Sequence, residues 1–297
     1  MFVVKRSGRT EGVNFEKITR RLEALKNDKA IGDVLSVDVV PVVASVCSSL
    51  RSGIATKAID ELTAGVAASM TTEHPEYGVL AARILVSDLQ KSTSDSLVVT
   101  YRKMADLLDP AFLACVRRCA KDLQPMVDYT RDYDFDYFGF KTLEKMYLSR
   151  VDGVTVERPQ HMWMRVAVAL WGDDMVRVKE TYDLLSTRRF THASPTLFNA
   201  GMKTQQLASC FLTGVEEDSL DAIFKSITDC ARISKYGGGI GIHVSGVRGK
   251  GSPIKGTNGV SDGLVPMLRV LNNTATYVNQ VSESTRVPLT FRSVAIF

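Results

Sequence analysis

The chain has 297 residues, of which 45% are hydrophobic and 24% are charged, and its formal net charge is +4. These values are typical of a soluble protein with one large and one smaller globular domain. Basic residues occur in short pairs such as Arg20-Arg21, a pattern that favours phosphorylated small molecules over nucleic acid as ligands. The sequence contains neither an apolar run of about 18 residues nor a secretory leader, so we expect a cytoplasmic protein without a membrane span.

The N-terminal residues 1–92 predict a hairpin followed by four helices. The β-prone residues 2–4 and a turn at Gly8 predict the hairpin. Asn14 is suited to cap the first helix and Thr56 the third. The predicted helices carry apolar residues at helical spacing, namely Phe15, Ile18, Leu22 and Leu25, then Val39, Val42, Val43, Val46 and Leu50, then Ile59, Leu62, Val66 and Met70, and finally Tyr77, Leu80, Ile84 and Leu85.

Residues 93–154 indicate a helical connector, and a larger α/β domain is expected from residue 155 onward. Its first two helices carry the apolar sets Met162, Val166 and Leu170, and Val176, Tyr182 and Leu185. Residues 191–201 then predict a loop. A helix over residues 220–227 precedes a short strand over residues 240–244, and this alternation is typical of α/β proteins.

The cysteines and histidines do not form a recognisable metal or disulfide pattern. The five cysteines include no C-x-x-C pair, which argues against a structural zinc site and a disulfide framework. Cys115 and Cys119 lie one helical turn apart and are interpreted as buried small residues. His161, His192 and His243 have no carboxylate cluster at ligand spacing. We therefore expect no metal site in this chain.

One segment carries side chains suited to anion binding and to redox chemistry. Ser194 and Ser209 are short hydroxyls that can donate hydrogen bonds to an anionic oxygen, together with exposed backbone N–H groups. Cys210 follows Ser209 and precedes a Phe-Leu pair, as a thiol on a strand would. An isolated Ser-Cys dipeptide is more often part of a core strand, so its interpretation depends on the surrounding sequence.

Two further settings favour the binding of a phosphorylated ligand. Lys5-Arg6 follows a strand and lies near a capped helix N-terminus, although such a pair taken alone is more often solvated surface. Asp218-Ser219 begins a helix and, taken alone, is a good helix cap. Lys235 and Arg248 add positive charge, and the glycine-rich loop 249–257 is able to close over a ligand.

The glycine run over residues 237–241 is not a dinucleotide-binding fingerprint. These glycines follow a predicted helix and open a strand. The fingerprint has the reverse order, because its glycines follow a strand and open a helix. A Rossmann interpretation is therefore excluded.

Longer strings carry a resemblance to a known family: THASPTLFNAG (191–201), QLASCFL (206–212), YFGFKTLE (137–144), ERPQHM (157–162), GTNG (256–259) and GLVPMLRV (263–270). They are similar to the large, or alpha, subunit of class I ribonucleotide reductase of the eukaryotic type. The resemblance covers residues 1–280. It implies an α/β fold class, with a mostly helical ATP-cone over 1–92, a helical connector over 93–154, and the first part of a ten-stranded α/β barrel over 155–280.

The resemblance also implies an activity and its residues. The family reduces ribonucleoside diphosphates to deoxyribonucleoside diphosphates by thiyl-radical chemistry, with ATP or dATP and deoxynucleoside triphosphates as allosteric effectors. Cys210 is implied to be one of the two reducing thiols, and the implied substrate-binding residues are Ser194, Ser209, Gly238 and Gly239. The implied ATP-cone contacts are Lys5, Arg6, Glu11, Gly12, Val13, Asn14, Phe15, Glu16, Lys17, Thr56, Asp60 and Lys91. The implied specificity-site residues are Asp218, Ser219, Leu220, Lys235, Arg248, Lys255 and Gly256.

The implied partners are proteins rather than nucleic acid. The family's metal-radical centre belongs to a small, beta subunit, so that subunit is an expected partner. Homodimers and higher oligomers of the large subunit are also expected. Thioredoxin or glutaredoxin is implied as the reductant.

Residues 281–297 do not resemble the family. The codons CAG-GTG-AGT would encode Gln280-Val281-Ser282 and would read as a 5′ splice donor, so we interpret this tail as unspliced intron or a gene-model error. The remaining residues lack the family's radical-bearing cysteine and second reducing thiol, which predicts that the chain is inactive alone. The alternative is a non-catalytic nucleotide-binding regulator. An ATP-cone transcriptional regulator would need C-x-x-C pairs, and the sequence has none.

Overall fold

The computed structural model describes residues 1–236, 238–278 and 294–296. The chain divides into two compact units, Met1–Thr191 and His192–Phe297. Among the described residues, no helix is both long enough and apolar enough to cross a lipid bilayer.

The first unit opens with the predicted hairpin. Strand β1 (Phe2–Val4) pairs antiparallel with β2 (Thr10–Gly12). A third strand, β3 (Ile54–Ala55), pairs parallel with β1 and places Val3 opposite Ile54. The sequence analysis did not predict β3, because two residues are too few to display the alternation that indicates a strand.

The four helices predicted after the hairpin are confirmed. They are α1 (Phe15–Asn27), α2 (Val40–Ser49), α3 (Thr56–Ser69) and α4 (Glu76–Ser92). Asn14 caps α1, since its side chain accepts a hydrogen bond from the Lys17 N–H at 3.2 Å. The predicted cap at Thr56 is wrong: β3 runs directly into α3, so Ala55 occupies the cap position and Thr56 is already the first helical residue.

The rest of the first unit is mostly helical. It contains α5 (Leu97–Lys103), α6 (Pro110–Leu123), α7 (Tyr137–Thr142), the hairpin β4 (Arg150–Val151) and β5 (Val154–Thr155), α8 (Pro159–Trp171) and α9 (Met175–Ser186). A 3₁₀ segment, Tyr129–Asp134, precedes α7.

Buried polar groups join the end of α4 to the segments that follow. The Arg158 guanidinium donates to the carbonyl oxygens of Gln90 and Thr93, at 2.9 and 3.0 Å, and to Thr93 Oγ1 at 2.9 Å. The fully buried Asp132 carboxylate accepts a hydrogen bond from the Gln90 side-chain amide and one from the Gln160 side-chain amide, both at 3.1 Å. Buried polar groups must find such partners to avoid a large desolvation cost, so these contacts fix how α4 meets α8.

The second unit begins with a short helix and continues as an alternation of parallel strands and helices. Its elements are α10 (Ser194–Asn199), β6 (Cys210–Gly214), α11 (Leu220–Lys235), β7 (Gly239–His243), α12 (Leu264–Tyr277) and β8 (Val294–Ile296). The three strands lie side by side in the order β6-β7-β8, and both pairs are parallel. Helical crossovers between neighbouring parallel strands are the repeating unit of an α/β barrel. The described strands do not close a barrel.

Residues 191–201 were predicted to be a loop, and the structure corrects this. The segment Ser194–Asn199 is helix α10. Pro195 lies in the first turn of α10, where its fixed φ favours helix formation and its missing N–H is not needed. The proline that suggested a loop therefore starts a helix.

Candidate functional site

The first unit contains a cavity of about 740 Å³ between the β1–β2 hairpin, α1, α3 and the end of α4. Every residue implied for the ATP-cone nucleotide lines it except Phe15 and Glu16. The lining residues from that set are Lys5, Arg6, Glu11, Gly12, Val13, Asn14, Lys17, Thr56, Asp60 and Lys91. Phe15 is 46% exposed, and Glu16 forms an ion pair with Arg20 on the surface of α1. The structure therefore brings most of the predicted residues to one cavity and leaves two outside it.

Positive charge dominates the cavity. Its basic lining residues are Lys5, Arg6, Arg9, Lys17, Arg21 and Lys91, and its acidic ones are Glu11 and Asp60. The lining therefore has a formal excess of four positive charges. Such a concave cationic surface attracts an anion of high charge, because the fields of its side chains add within the cleft.

The acidic residues of the cavity already contact its cations. Glu11 lies 2.9 Å from the Lys5 ammonium and also pairs with Lys17. Hydrogen bonds from Lys17 and then Lys5 lower the pKa of the Glu11 carboxyl to about 2. Asp60 pairs with Arg6 at 3.0 Å and with Arg21 at 3.1 Å, while its burial raises the pKa of its carboxyl despite these cations.

Sequence reasoning missed several residues of this cavity. Arg21 lies one helical turn after Lys17 on the same face of α1, so helical periodicity could have indicated it. Its Nη2 is buried and has no hydrogen-bond partner in the described part of the chain. A buried donor without a partner costs free energy unless a ligand or water satisfies it. Arg21 is thus suited to donate to an anionic ligand. Ile18, Leu22, Ile59 and Ile84 supply apolar lining.

The implied redox and substrate residues lie at the start of two neighbouring strands of the second unit. Cys210 is the first residue of β6 and is exposed, and Gly239 is its partner at the start of β7. The Gly239 N–H donates to the Ser209 carbonyl oxygen at 2.8 Å. Gly238 is buried beside them, and Gly237 lies outside the described residues. The structure therefore brings together Ser209, Cys210, Gly238 and Gly239.

Ser194 begins α10, which two side chains join to the segment before Ser209. Thr196 Oγ1 donates to the Leu207 carbonyl oxygen at 3.0 Å, and the Asn199 amide donates to the Gln206 carbonyl oxygen at 2.7 Å. These bonds fix the helix that carries Ser194 relative to the strand that carries Cys210.

Among the implied specificity-site residues, Asp218, Ser219 and Arg248 lie together at the start of α11, and Lys235 lies apart from them. Ser219 caps α11 by accepting a hydrogen bond from the Ala222 N–H at 3.2 Å. Arg248 donates to the Asp218 carboxylate at 2.6 Å and to its carbonyl oxygen at 3.1 Å. Lys235 is the last residue of α11, so at about 1.5 Å per residue it lies roughly 22 Å from Leu220. Within this chain the structure does not bring Lys235 to the Asp218–Arg248 pair.

Lys255 and Gly256 lie in a loop after Arg248. Backbone bonds at 2.8 Å from Gly251 to Ser261 and from Ser261 to Ser252 close this loop. Arg248 also donates to the Pro253 carbonyl oxygen at 3.0 Å. Arg248 thus links the start of α11 to the loop. The described residues contain no group of three or more His, Cys, Asp or Glu side chains able to hold a metal ion.

Comparison with known proteins gives three family matches in chain order. The ATP cone domain matches residues 1–92, the ribonucleotide reductase all-alpha domain matches residues 133–205, and the ribonucleotide reductase barrel domain matches residues 208–287. This order defines a ribonucleotide reductase chain with an N-terminal ATP cone. The barrel match extends to residue 287 and so ends within the tail 281–297, which was predicted not to resemble the family. The start of this tail at residue 281 stays a prediction.

Relatives identify the subunit. The chain is 47% identical to the ribonucleoside-diphosphate reductase large chain of Neurospora crassa, and 47% and 48% identical to the large subunits of Dictyostelium discoideum and Arabidopsis thaliana. Each alignment covers 94% of this chain and 31%, 33% and 35% of the respective relative. The chain belongs to the ribonucleotide reductase large-subunit family and spans about a third of the length of the relatives it matches.

Proposed function

We propose that the chain is the nucleotide-sensing, N-terminal part of a ribonucleoside-diphosphate reductase large subunit. The observation that carries this proposal is the cavity of about 740 Å³ in the first unit, called the cone cavity below because it lies within residues 1–92. Its lining has a formal excess of four positive charges and includes all but two of the implied nucleotide contacts. A nucleoside triphosphate has the size and charge for such a site, since its phosphates need several cationic donors and its base needs apolar walls. ATP and dATP are the proposed effectors there.

A second effector site is proposed at the start of α11. The free N–H groups of a helix N-terminus attract phosphate oxygens, and Asp218 beside them offers a carboxylate to a ribose hydroxyl. Arg248 holds Asp218 from one side and contacts the loop from the other. A deoxynucleoside triphosphate is the proposed ligand, with the loop closing over it.

Cys210 is proposed as one of two thiols that reduce the ribose. In that step two thiols lose two electrons and two protons and become a disulfide, the ribose 2′-hydroxyl leaves with one proton as water, and the two electrons and the other proton form a C–H bond at the 2′ carbon. The exposure of Cys210 and the absence of a side chain at Gly239, which lies beside its thiol, support close approach of a substrate. Ser194 and Ser209 are proposed to bind the substrate, with Ser194 toward its diphosphate.

Partners and location follow from the same proposal. A small subunit that holds a metal-radical centre would supply the radical, and further copies of the large subunit would form oligomers. Thioredoxin or glutaredoxin would reduce the disulfide again. We place this deoxyribonucleotide-forming activity, which serves DNA replication, in the cytoplasm.

Titration calorimetry of the 297-residue chain with ATP and dATP tests the cone proposal. Lys91→Gln is expected to weaken ATP binding by about tenfold, because it removes a charge-assisted contact. Lys57→Gln is the matched control, since Lys57 is exposed on α3 and does not line the cavity. No ATP binding, or an equal loss in both variants, would contradict the proposal.

The second candidate is a nucleotide-binding regulator without catalysis. The observation that favours it is that the cavity is complete within the ATP-cone, since all its lining residues fall between Val3 and Lys91. A CDP-reduction assay with a small subunit tests the second candidate. Nucleotide binding without reduction is expected from this chain, and measurable reduction would refute the non-catalytic regulator.

A further inference from the structure

Asp88 contacts the guanidinium of Arg6, which lines the cone cavity, but Asp88 does not line that cavity itself. It lies near the C-terminal end of α4 and is 4% exposed. Its carboxylate accepts a hydrogen bond from Nη2 of Arg6. Lys91, on the same helix, does line the cavity. Asp88 was not among the residues indicated by the sequence, and its position suggests an indirect role in ligand binding.

Only one of the three guanidinium nitrogens of Arg6, Nη2, donates hydrogen bonds to the described residues. Nη2 donates to both Asp88 Oδ1 and Asp60 Oδ2, the latter at 3.0 Å. Nε and Nη1 have no hydrogen-bond partner within the described ranges of the chain. The Arg6 side chain is one-third exposed and lines the cavity. One edge of the guanidinium is therefore held by carboxylates, while the remaining donors are available to a ligand.

Two carboxylates, Asp60 and Asp88, compete with an anionic ligand for the Arg6 guanidinium. Arg21 also pairs with Asp60, so two arginines and two carboxylates form a cluster without formal net charge. Burial raises the pKa of the Asp60 carboxyl, and the nearby charge of Asp88 adds to that rise. A phosphate that binds Arg6 must compete with two carboxylates for the same guanidinium. Because these carboxylates are buried, solvent screens them less than surface charges.

We propose that Asp88 is a positioning residue for Arg6, whose hydrogen bond fixes the guanidinium and whose charge lowers the affinity of the cone for polyphosphate ligands. This inference deepens the proposed nucleotide binding and rests on it. The two effects of Asp88 are separable. Asn in its place keeps the shape and an accepting oxygen, and it removes the charge.

The test compares the wild-type chain with Asp88→Asn by titration calorimetry against ATP, ADP, AMP and inorganic tripolyphosphate. The affinity for ATP is expected to rise by about threefold to tenfold, which is the range of one partly screened ion pair. The gain should be smaller for ADP and smallest for AMP, because it scales with the charge of the ligand. Asp122→Asn is the matched control, since Asp122 is exposed on α6, and it should change the affinity by less than about twofold.

A second background tests whether Asp88 acts through Arg6. In Arg6→Gln, the gain from Asp88→Asn should fall below about twofold, because the contested guanidinium is gone. A gain that persists there would overturn the positioning role. Unchanged or weaker ATP binding in a folded Asp88→Asn, or a gain equal for AMP and ATP, would overturn the charge effect.

A variant that does not fold leaves a clear result as well. Asp88→Ser also removes the charge, and it should bind ATP more tightly if Asp88→Asn does not fold. Failure of both to fold would assign Asp88 to the core alone and overturn the proposal. Absence of ATP binding by the wild-type chain would refute the nucleotide function, whereas tripolyphosphate binding reports on Asp88 independently of the nucleoside.

Discussion

Gly239 on β7 lies directly opposite Cys210 on β6. A Cβ placed on Gly239 would be 3.8 Å from the Cys210 Sγ and 3.5 Å from the Ser209 carbonyl oxygen. These are ordinary contact distances, so the packing would accept a methyl group at position 239. Its absence at Gly239 leaves space beside the Cys210 thiol. Its neighbour Gly238 differs, because a Cβ there would be 2.6 Å from Ile233 Cγ2 and 2.8 Å from Phe211 Cε2.

Gly238→Ala is therefore expected to destabilise the second unit. The added methyl overlaps two side chains, and overpacking of this kind costs about 1–3 kcal/mol. Urea unfolding followed by circular dichroism measures the loss. Gly239→Ala is the control and should cost less than about 1 kcal/mol, since it makes contacts without overlap. Equal losses in the two variants would show that packing does not distinguish these glycines.

The buried Glu157–Arg165 ion pair gives a second prediction. Both side chains are fully buried, with Nε and Oε1 2.8 Å apart, and Glu157 also accepts from the Ser149 hydroxyl at 2.7 Å. Glu157→Gln removes the carboxylate charge that faces the buried Arg165 guanidinium, and loss of one partner of a buried ion pair should lower the free energy of unfolding by about 3–5 kcal/mol. Asp173→Asn, which breaks an exposed pair with Arg118, should cost less than about 1 kcal/mol. Thermal and urea unfolding measure both losses. An equal loss of unfolding free energy in Glu157→Gln and Asp173→Asn would contradict this prediction.

Asp132 predicts a pH dependence of stability. Burial raises the pKa of its carboxyl to about 6, although the hydrogen bonds from Gln90 and Gln160 act to lower that pKa. The folded chain thus binds this proton more tightly than the unfolded chain, whose pKa is about 3.9. The contribution is fully present below about pH 4 and is lost as the pH rises through about 6, and it is on the order of 3 kcal/mol.

Asp132→Asn has no titrating group at this position. The difference in unfolding free energy between wild type and variant should therefore change between about pH 4 and pH 6 and stay constant at higher pH. Urea unfolding at a series of pH values measures it. Two curves that run parallel over the whole range would refute the raised pKa.

Arg248 predicts the protease sensitivity of the loop that follows it. Arg248→Gln removes charge-assisted bonds to Asp218 and a bond to the Pro253 carbonyl. Local opening should become easier, and trypsin should cut after Lys250 or Lys255 about tenfold faster, since cleavage follows the open population. Arg232→Gln is the control, because Arg232 pairs only with its helix neighbour Asp229 among the described residues. Equal cleavage of both variants would contradict the linking role of Arg248.

Short-range features of the fold could be predicted from the sequence. Asn14 caps α1 as expected, and the apolar spacing located the four helices of residues 1–92. Both features depend on residues within a few positions of each other. The loop predicted over residues 191–201 was wrong because the local signal was ambiguous. Pro195 is compatible with either a loop or the first turn of a helix, and the structure shows the helix.

The sequence by itself determined the family, the four helices of residues 1–92 and ten of the twenty residues that line the cone cavity. Only the tertiary structure decided how the charges of that cavity are paired. Arg6 meets Asp88 across 82 positions of the chain and Asp60 across 54, and β3 joins β1 across a similar span. Helical periodicity and caps are set by neighbours in sequence, whereas an ion pair or a two-residue strand depends on which distant segments the packed core brings together.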